Sequence, residues 1–283
     1  MKQVGIVAVA VLFGLMLVSS VQANGKLVAS PSSALILADG DYNGDGSSDI
    51  AVFRGADGAW MVRDVTRVYF GREGDVPASG DYDGDGITDM AIFRSGLWAV
   101  RGVTRTYFGT AGDISLPVDQ VGVGTVSMAI FRPSTGLWAA RNIGRTYFGI
   151  EGDWPIPGDY NGDGFTDAAI FRQATGLWAI LTITRTYYGS ADDIPIVRDY
   201  DGDGTADIAI NRQSINPPSS LWAIRGITRV NFGTWGDYPV PADYNGDGTS
   251  DQAIFRFGSG LWAIQGVTRV YYGDGDSSIP VAR

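Results

Sequence analysis

Short apolar runs alternate with polar, glycine-rich turns along nearly the whole chain. In one representative stretch the runs read approximately VPASGDY, DMAIFR, LWAVRG and TRTYFG, and Gly, Asp or Ser bounds each of them. Apolar residues occupy alternate and often adjacent positions within a run, and no window shows the period of a helix. The pattern predicts an all-β protein of short antiparallel strands.

The four runs form a unit that recurs six times. Successive units begin 40, 38, 40, 40 and 44 residues apart. Periods of this size are typical of propeller-like arrays, and four short antiparallel strands make one propeller blade. We therefore predict a β-propeller of six four-stranded blades, with a seven-bladed or incomplete ring as the alternative. The units begin at Asp41, Asp81, Asp119, Asp159, Asp199 and Asp243.

Both ends of the chain offer a first strand to blade one. Residues Ala34 to Tyr42 (ALILADGDY) supply one such run, and the final SSIPVAR supplies another. We expect a closed ring over residues 34–283, clasped by the two ends. An incomplete seventh blade and an edge that pairs with another chain remain open alternatives.

Length changes are confined to one connection, between the Arg that ends the second strand and the Trp that follows. This connection is short from Arg94 to Trp98 and long from Arg212 to Trp222. Segments that tolerate such variation are exposed loops. The connection lies at the opposite end of an antiparallel blade from the turn between strands one and two. We therefore predict that the propeller has one uniform rim, which includes the turns between strands one and two, and one variable rim, which includes the connections between the Arg and the Trp.

The turn between the first and second strands carries one loop chemistry five times. It reads DYNGDGSSD, DYDGDGITD, DYNGDGFTD, DYDGDGTAD and DYNGDGTSD. Oxygen-bearing side chains at positions 1, 3, 5 and 9, a backbone carbonyl at position 7 and Gly at position 6 are how proteins wrap Ca²⁺. A helical EF-hand is excluded because position 12 of the first loop, Val52, lies in a strand pattern. The alternative is a polar turn without metal.

The unit DYDGDGxxDxAxFR, GLWAxR, TRxYFGxxGD resembles the FG-GAP or VCBS-type repeat, a calcium-bearing propeller repeat of integrin α-subunit heads and many secreted bacterial proteins. The GAP triplet is replaced by FR or NR. The resemblance implies backbone ligands from Ser47, Ile87, Phe165, Thr205 and Thr249. It implies side-chain ligands from Asp41, Asn43, Asp45 and Asp49; Asp81, Asp83, Asp85 and Asp89; Asp159, Asn161, Asp163 and Asp167; Asp199, Asp201, Asp203 and Asp207; and Asp243, Asn245, Asp247 and Asp251.

The third unit departs from this pattern and reads DQVGVGTVS. Val121, Val123 and Ser127 stand where three ligands would be, although Gly122 and Gly124 keep the turn. We expect about five Ca²⁺ sites and a metal-free third loop.

The first residues indicate export. An apolar run from Val4 to Val18 follows a lysine, and Val21-Gln22-Ala23 has the small residues of a signal-peptidase site. We predict a signal peptide over residues 1–23, a linker over 24–33 and no stable membrane span after cleavage; a retained anchor is the alternative. The predicted location is extracellular or at the cell surface, with the periplasm also open.

Composition narrows the function classes. The formal charge is -10, and five Ca²⁺ would nearly cancel it. Nucleic-acid binding, which needs a basic stripe, is not expected. The chain has no His and no Cys, which removes the nucleophile systems and zinc sites built on them. We expect no enzymatic activity, although a carboxylate pair for glycoside cleavage stays possible in principle.

One tryptophan recurs at the start of each third strand, and two interpretations apply to it. We expect it to pack between blades, and a sugar-stacking platform is the alternative. Trp154 and Trp235 break the pattern, so we predict that they contact a ligand, with Tyr238 nearby. The recurring tryptophans are Trp60, Trp98, Trp138, Trp178, Trp222 and Trp262.

Two arginine columns recur as well, and we expect both to form structural ion pairs with a recurring aspartate; binding of an anionic glycan is the alternative. The aspartates are Asp75, Asp113, Asp153, Asp193 and Asp237. One column ends the second strands at Arg54, Arg94, Arg132, Arg172, Arg212 and Arg256. The other begins the fourth strands at Arg67, Arg105, Arg145, Arg185, Arg229 and Arg269.

Taken together, these patterns favour a secreted, calcium-stabilised propeller that binds or adheres to extracellular protein or surface glycan through its variable rim. A multivalent lectin with sugar sites between blades is the first alternative. A polysaccharide-active enzyme is the second. The ligand itself is not encoded in any motif.

Overall fold

A computed structural model describes residues 20–21, 27–28, 40–120, 122, 124–273 and 278–281. Within these residues every regular element is a β-strand. The predicted signal peptide and linker lie outside them, except for a two-residue antiparallel pair between β1 (Ser20–Val21) and β2 (Leu27–Val28). None of the described residues belongs to a helix of the length and apolar character needed to cross a membrane.

Six four-stranded antiparallel sheets form the six blades of a propeller, as predicted. Blade one has β3 (Ala51–Arg54), β4 (Ala59–Val62) and β5 (Thr66–Tyr69). Blade two has β6 (Val76–Pro77), β7 (Ala91–Arg94), β8 (Leu97–Val100) and β9 (Thr104–Tyr107). Blade three has β10 (Ile114–Val118), β11 (Ser127–Arg132), β12 (Leu137–Ala140) and β13 (Gly144–Tyr147).

The remaining blades repeat this order along the chain. Blade four has β14 (Trp154–Pro155), β15 (Ala169–Arg172), β16 (Leu177–Ile180) and β17 (Thr184–Tyr187). Blade five has β18 (Ile194–Pro195), β19 (Ala209–Ile215), β20 (Pro218–Ile224) and β21 (Thr228–Asn231). Blade six has β22 (Asp237–Pro239), β23 (Ala253–Arg256), β24 (Leu261–Ile264) and β25 (Thr268–Tyr271), and β26 (Ser278–Pro280) returns to blade one.

The hydrophobic core lies between neighbouring blades. One buried cluster joins Trp178 and Phe171 of blade four to Val197 and Ile210 of blade five. Another cluster places Val52 of blade one against blade six, so the ring is closed. Because both faces of the middle strands are covered, those strands are apolar at adjacent positions, whereas the fourth strands alternate between exposed and half-buried residues.

The two chain ends meet in blade one. Strand β26 pairs with β3, with Ile279 opposite Phe53, and the N–H of Val281 donates to the carbonyl of Ala51 at 2.8 Å. The carbonyl of Gly40 then accepts from the N–H of Asp49 at 2.7 Å. The C-terminal end therefore closes the ring in blade one, and the part of the predicted clasp assigned to the N-terminal segment stays a prediction. Strand β26 occupies the first-strand place of blade one, and of the predicted N-terminal run, 34–42, residues 34–39 lie outside the described part.

The first arginine column forms the predicted ion pairs in five blades. In blade four, Arg172 donates from Nε and one terminal nitrogen to the two carboxylate oxygens of Asp153, at 2.7 and 2.8 Å. Asp153 is buried and also accepts from the N–H of Ile150 at 2.9 Å. The pair thus fixes the link that enters each blade. The equivalent pairs are Arg94 with Asp75, Arg132 with Asp113, Arg212 with Asp193, and Arg256 with Asp237.

The second arginine column behaves differently. Its members lie exposed on the fourth strands, and the described structure gives none of them an ion pair with the recurring aspartates. The predicted pairing is therefore wrong for this column. The aspartate lies at the start of the first strand, away from the fourth strand that carries this column. Its carboxylate already accepts hydrogen bonds from the second-strand arginine and from a backbone N–H.

Candidate functional site

Each acidic loop is held by the carboxylate at its first position. In blade four, Asp159 accepts from the N–H of Gly162 at 2.7 Å and from the N–H of Gly164 at 2.8 Å. Both glycines have positive φ, 75° and 84°, a backbone that favours glycine. The sequence GDG at these positions therefore folds the chain back around one carboxylate. The same two contacts recur in every loop, with Asp41, Asp81, Asp119, Asp199 and Asp243 as acceptors.

In two of the acidic loops three carboxylates come close together. Carboxylate oxygens of Asp81, Asp83 and Asp85 lie within 4.8 Å of one another, and so do those of Asp199, Asp201 and Asp207. Two oxygens that each lie about 2.4 Å from one ion are at most about 4.8 Å apart. The donor set contains only oxygen, which suits a hard cation and not a soft metal. The residues present therefore fit Ca²⁺.

In three loops an asparagine at position 3 replaces the aspartate. The amide of Asn43 donates to the carboxylate of Asp49 at 3.0 Å, and the amide of Asn245 donates to Asp251 at 3.2 Å. Positions 3 and 9 thus face each other across these loops as well. Calcium bound there would take the amide oxygen of position 3 and the carboxylate of position 9.

The aspartate at position 9 of each acidic loop has a perturbed pKa. Burial raises the pKa of Asp89 above its ordinary value, and the charges of Asp83, Asp85 and Asp81 raise it further. The same direction and the same leading cause apply to Asp49, Asp167, Asp207 and Asp251. Negative charge is thus gathered at a partly buried point, which a divalent cation would neutralise.

This perturbation predicts a pH dependence. In the calcium-free protein, proton uptake at these groups favours the native state, so their stabilisation is present at low pH and is lost as pH rises through the raised pKa. Calcium needs the ionised form, so protons compete with it. We expect the difference in melting temperature between calcium-loaded and calcium-stripped protein to shrink as pH falls toward the ordinary aspartate range, about 4. A difference that stays constant over this fall in pH would contradict the ligand assignment.

The third loop keeps the turn without the donors. Asp119 accepts from the N–H groups of Gly122 and Gly124 at 2.8 and 2.6 Å, as in the acidic loops. Val121 and Val123 lie outside the described residues, and Ser127 begins β11. The contacts between the first aspartate and the two glycines are therefore kept without the acidic donors, and the metal-free state of this loop stays a prediction.

The six loops form a continuous ring, which sequence reasoning missed. The N–H at position 8 of each loop donates to the carbonyl of the first aspartate in the preceding loop. The donors and acceptors are Thr88 to Asp41 (2.7 Å), Val126 to Asp81 (2.6 Å), Thr166 to Asp119 (2.8 Å), Ala206 to Asp159 (2.6 Å), Ser250 to Asp199 (2.8 Å) and Ser48 to Asp243 (2.6 Å). A recurring Ser, Thr, Ala or Val gives no signal of this contact, because it is made by backbone atoms.

Close packing reinforces that ring. A Cβ added at Gly162, position 4 of its loop, would lie 3.2 Å from the methyl group of Thr205, position 7 of the next loop. Position 7 is the residue whose carbonyl is the expected backbone ligand. Calcium bound in one loop would therefore order a residue that touches the preceding loop.

The predicted rims are confirmed at blade one. A cavity of about 300 Å³ is lined both by loop residues Asn43 and Asp45 and by Arg63 and Val65 of the turn between β4 and β5. The acidic loops and these turns therefore share one end of the blades. The long connection between β19 and β20 of blade five belongs to the opposite, variable end.

The tryptophan column packs between blades, as predicted, and Trp138 also lines a cavity described below. Trp178 is fully buried, and its indole N–H donates to the carbonyl of Tyr188 at 2.8 Å. Phe171 packs against it with ring centroids 5.3 Å apart. The other five tryptophans repeat this burial and this hydrogen bond, and none is more than 8% exposed.

Trp178→Phe is accordingly expected to lower the free energy of unfolding by about 1 to 3 kcal/mol, because it leaves a cavity and strands the carbonyl of Tyr188. Chemical denaturation in calcium measures this loss. Trp235→Phe, at a half-buried position outside the column, serves as the comparison. An unchanged midpoint for Trp178→Phe would contradict the packing role.

The predicted ligand-contact residues have different outcomes. Trp154 is only 1% exposed and packs in the core of blade four, so its prediction is wrong. It stands opposite Phe171 in the first strand, where blade two has Val76 opposite Phe93. Trp235 and Tyr238 are half-buried, and their ligand contact stays a prediction. Burial raises the pKa of Tyr238 to about 12.

Blade three leaves a cavity against blade four. Its volume is about 320 Å³, and Trp138, Ala140 and Gly144 line it together with the polar residues Arg145 and Asp167. Small side chains explain it, because Ala140 stands where blade four has Ile180 and Gly144 stands where blade four has Thr184. A cavity with apolar walls and a few polar groups is the usual form of a small-molecule site.

Comparisons with known proteins support the fold. No protein-family model and no curated protein matches the chain. The structure is similar to a lectin of Agrocybe aegerita that recognises non-reducing terminal N-acetylglucosamine, with 15% identity and a TM-score of 0.52 over 86% of this chain and 78% of the lectin. The V. cholerae biofilm matrix protein Bap1 aligns with 17% identity and a TM-score of 0.36 over 86% of this chain and 51% of Bap1.

Proposed function

We propose that the chain is an extracellular, calcium-stabilised binding module of the FG-GAP or VCBS type, without enzymatic activity. The observation that carries this proposal is the ring of acidic loops: neighbouring loops are hydrogen-bonded to each other, and in two loops three carboxylates come within ion-binding distance of one another. Calcium there is structural: it closes one rim of the propeller and leaves the other rim free to vary.

Several features support binding over catalysis. The buried aspartates that enter the blades are occupied by ion pairs, and the acidic residues of the loops are grouped as metal ligands. The chain contains neither His nor Cys. Blade five extends the variable rim with the long hairpin of β19 and β20, whose Ile215 is exposed. That hairpin offers a surface for an extracellular partner.

A lectin is the second candidate, and the cavity between blades three and four favours it. Its size suits one or two sugar rings, and Arg145, Asp167 and Thr182 offer polar contacts at its wall. The similarity in fold to a lectin that recognises N-acetylglucosamine adds weight to this candidate. Ile143→Ala at the cavity wall would weaken sugar binding without loosening the blades.

The two candidates separate in one experiment. Residues 24–283 are applied to a broad glycan array in calcium and in EGTA, and circular dichroism monitors folding in parallel. Calcium-dependent binding to a defined sugar would establish the lectin. A silent array with a folded protein would favour a protein-binding role. Release of oligosaccharide from any polymer would overturn the non-enzymatic proposal.

A further inference from the structure

The outer edge of the propeller carries a repeated pair of side chains that the fold does not use. On the fourth strand of each blade an exposed arginine is followed two residues later by an exposed tyrosine, or by Asn231 in blade five. The tyrosines are between 64% and 76% exposed, the highest values among large apolar and aromatic side chains of the described residues. They are Tyr69, Tyr107, Tyr147, Tyr187 and Tyr271, and each arginine belongs to the second column.

Strand geometry turns each pair into one outward strip. Residues two apart on a strand point to the same face and lie about 7 Å apart. In blade one, Arg67 and Tyr69 are exposed while Val68 between them is half-buried. The guanidinium of Arg67 lies 5.8 Å from the centre of the Tyr69 ring, and one of its nitrogens donates to the Tyr69 hydroxyl at 3.3 Å. We call these six pairs the edge strips.

The edge strips contrast with the structural residues of the same blades. Arg172 is held by a buried aspartate and Trp178 is enclosed by core residues, whereas Arg185 and Tyr187 of the edge strip face solvent. Five large aromatic rings left on a surface add nothing to the core. Tyrosine and arginine are also the residue types that concentrate binding energy at interfaces.

The positions of the charged side chains indicate the chemistry of the partner. The acidic residues are concentrated in the loops of one rim, where five Ca²⁺ would offset the formal charge of -10. In the calcium-loaded protein the arginines of the edge strips then form a basic outer wall. Guanidinium groups bind carboxylates through bidentate hydrogen bonds, and an exposed phenol ring offers a flat face to a sugar ring.

We propose that the edge strips bind a carboxylated polysaccharide, with sugar rings on the tyrosines and carboxylates on the arginines. Each strip is a weak, open site, and six of them around one ring gain affinity by acting together on one polymer. A single-stranded nucleic acid is less favoured, because such strands stack successive bases in a groove and these strips stand on separate blades. This inference rests on the proposed binding function. It places the binding surface on the edge strips and does not involve the variable rim or the blade-three cavity.

The test measures binding of residues 24–283 to immobilised hyaluronate in calcium, with dextran as the neutral comparison. One triple variant removes strip arginines (Arg105→Gln, Arg185→Gln, Arg269→Gln), and another removes strip tyrosines (Tyr107→Ser, Tyr187→Ser, Tyr271→Ser). The control removes the same charge from exposed arginines outside the strips (Arg101→Gln, Arg141→Gln, Arg225→Gln). All nine side chains are exposed, so the melting temperature checks that each variant folds.

Both strip variants are expected to weaken hyaluronate binding about tenfold or more, and the control to weaken it less than about threefold. Asn231→Tyr, which completes the sixth strip, is expected to strengthen it. Equal losses in the strip and control variants, or binding to oligo-dT as strong as to hyaluronate, would overturn the proposal. So would wild-type binding no stronger than to dextran. If the protein fails this hyaluronate test but still binds a sugar on the glycan array, only this inference is wrong and the proposed function stands.

Discussion

Chelation of calcium is expected to lower the melting temperature of residues 24–283 by about 15 to 25 °C. At about 1 mM free Ca²⁺ and a dissociation constant of about 0.1 mM, each site contributes about 1.4 kcal/mol. Five independent sites give about 7 kcal/mol, comparable with the whole stability of a domain. For a domain of this size each kcal/mol corresponds to about 2 to 4 °C.

A single-loop variant provides the control for chelation. Asp163→Ala removes one ligand side chain from the exposed loop of blade four. Its melting temperature should fall by about 3 to 5 °C in calcium, the loss of one site, and by much less in EGTA, where no site is filled. A wild-type melting temperature that is the same in calcium and EGTA would contradict the structural role of the metal.

Loss of one buried ion pair is expected to have the second largest effect. Asp153→Ala should lower the free energy of unfolding by about 2 to 4 kcal/mol, because it strands the guanidinium of Arg172 and the N–H of Ile150. The value lies below that of a fully buried pair, since the Arg172 side chain is 32% exposed and partly solvated. Chemical denaturation in calcium measures the loss.

Blade one offers the matched control for that pair. Its first strand has Ser278 where the other blades have the buried aspartate, and Arg54 instead contacts Asp57 of the next turn at 2.8 Å. Asp57 is 40% exposed, so Asp57→Ala should cost less than about 1 kcal/mol. Similar losses from Asp57→Ala and Asp153→Ala would show that burial of the aspartate does not set the stability.

The repeat made the fold predictable from sequence. Each GDG turn occurs at a fixed distance from the apolar run that follows it, and one tryptophan comes after that run in every unit, so the strands of every blade follow from one unit. Closure was harder, because Ser278–Pro280 pairs with Ala51–Arg54 from the other end of the chain. Two similar segments competed for one place, and only the register against Phe53 decides between them.

The calcium loops were predicted from the sequence, but the contacts between them were not. Ligand types and spacing are local, so the acidic loops could be found one by one, whereas the ring of hydrogen bonds between loops depends on how far apart the blades stand. Trp154 was misjudged because it breaks the tryptophan column. Its alignment with Val76 in the first strand places it in the core, a signal that strand register carries and composition does not.

The number of calcium ions bound by residues 24–283 tests the central claim most directly. After equilibrium dialysis against calcium, elemental analysis should find five ions per chain, and about four in Asp163→Ala. Replacement of Ser127, in the degenerate loop of blade three, should leave the number unchanged. A wild-type chain that retains no calcium, or a count that is the same in Asp163→Ala, would contradict the account.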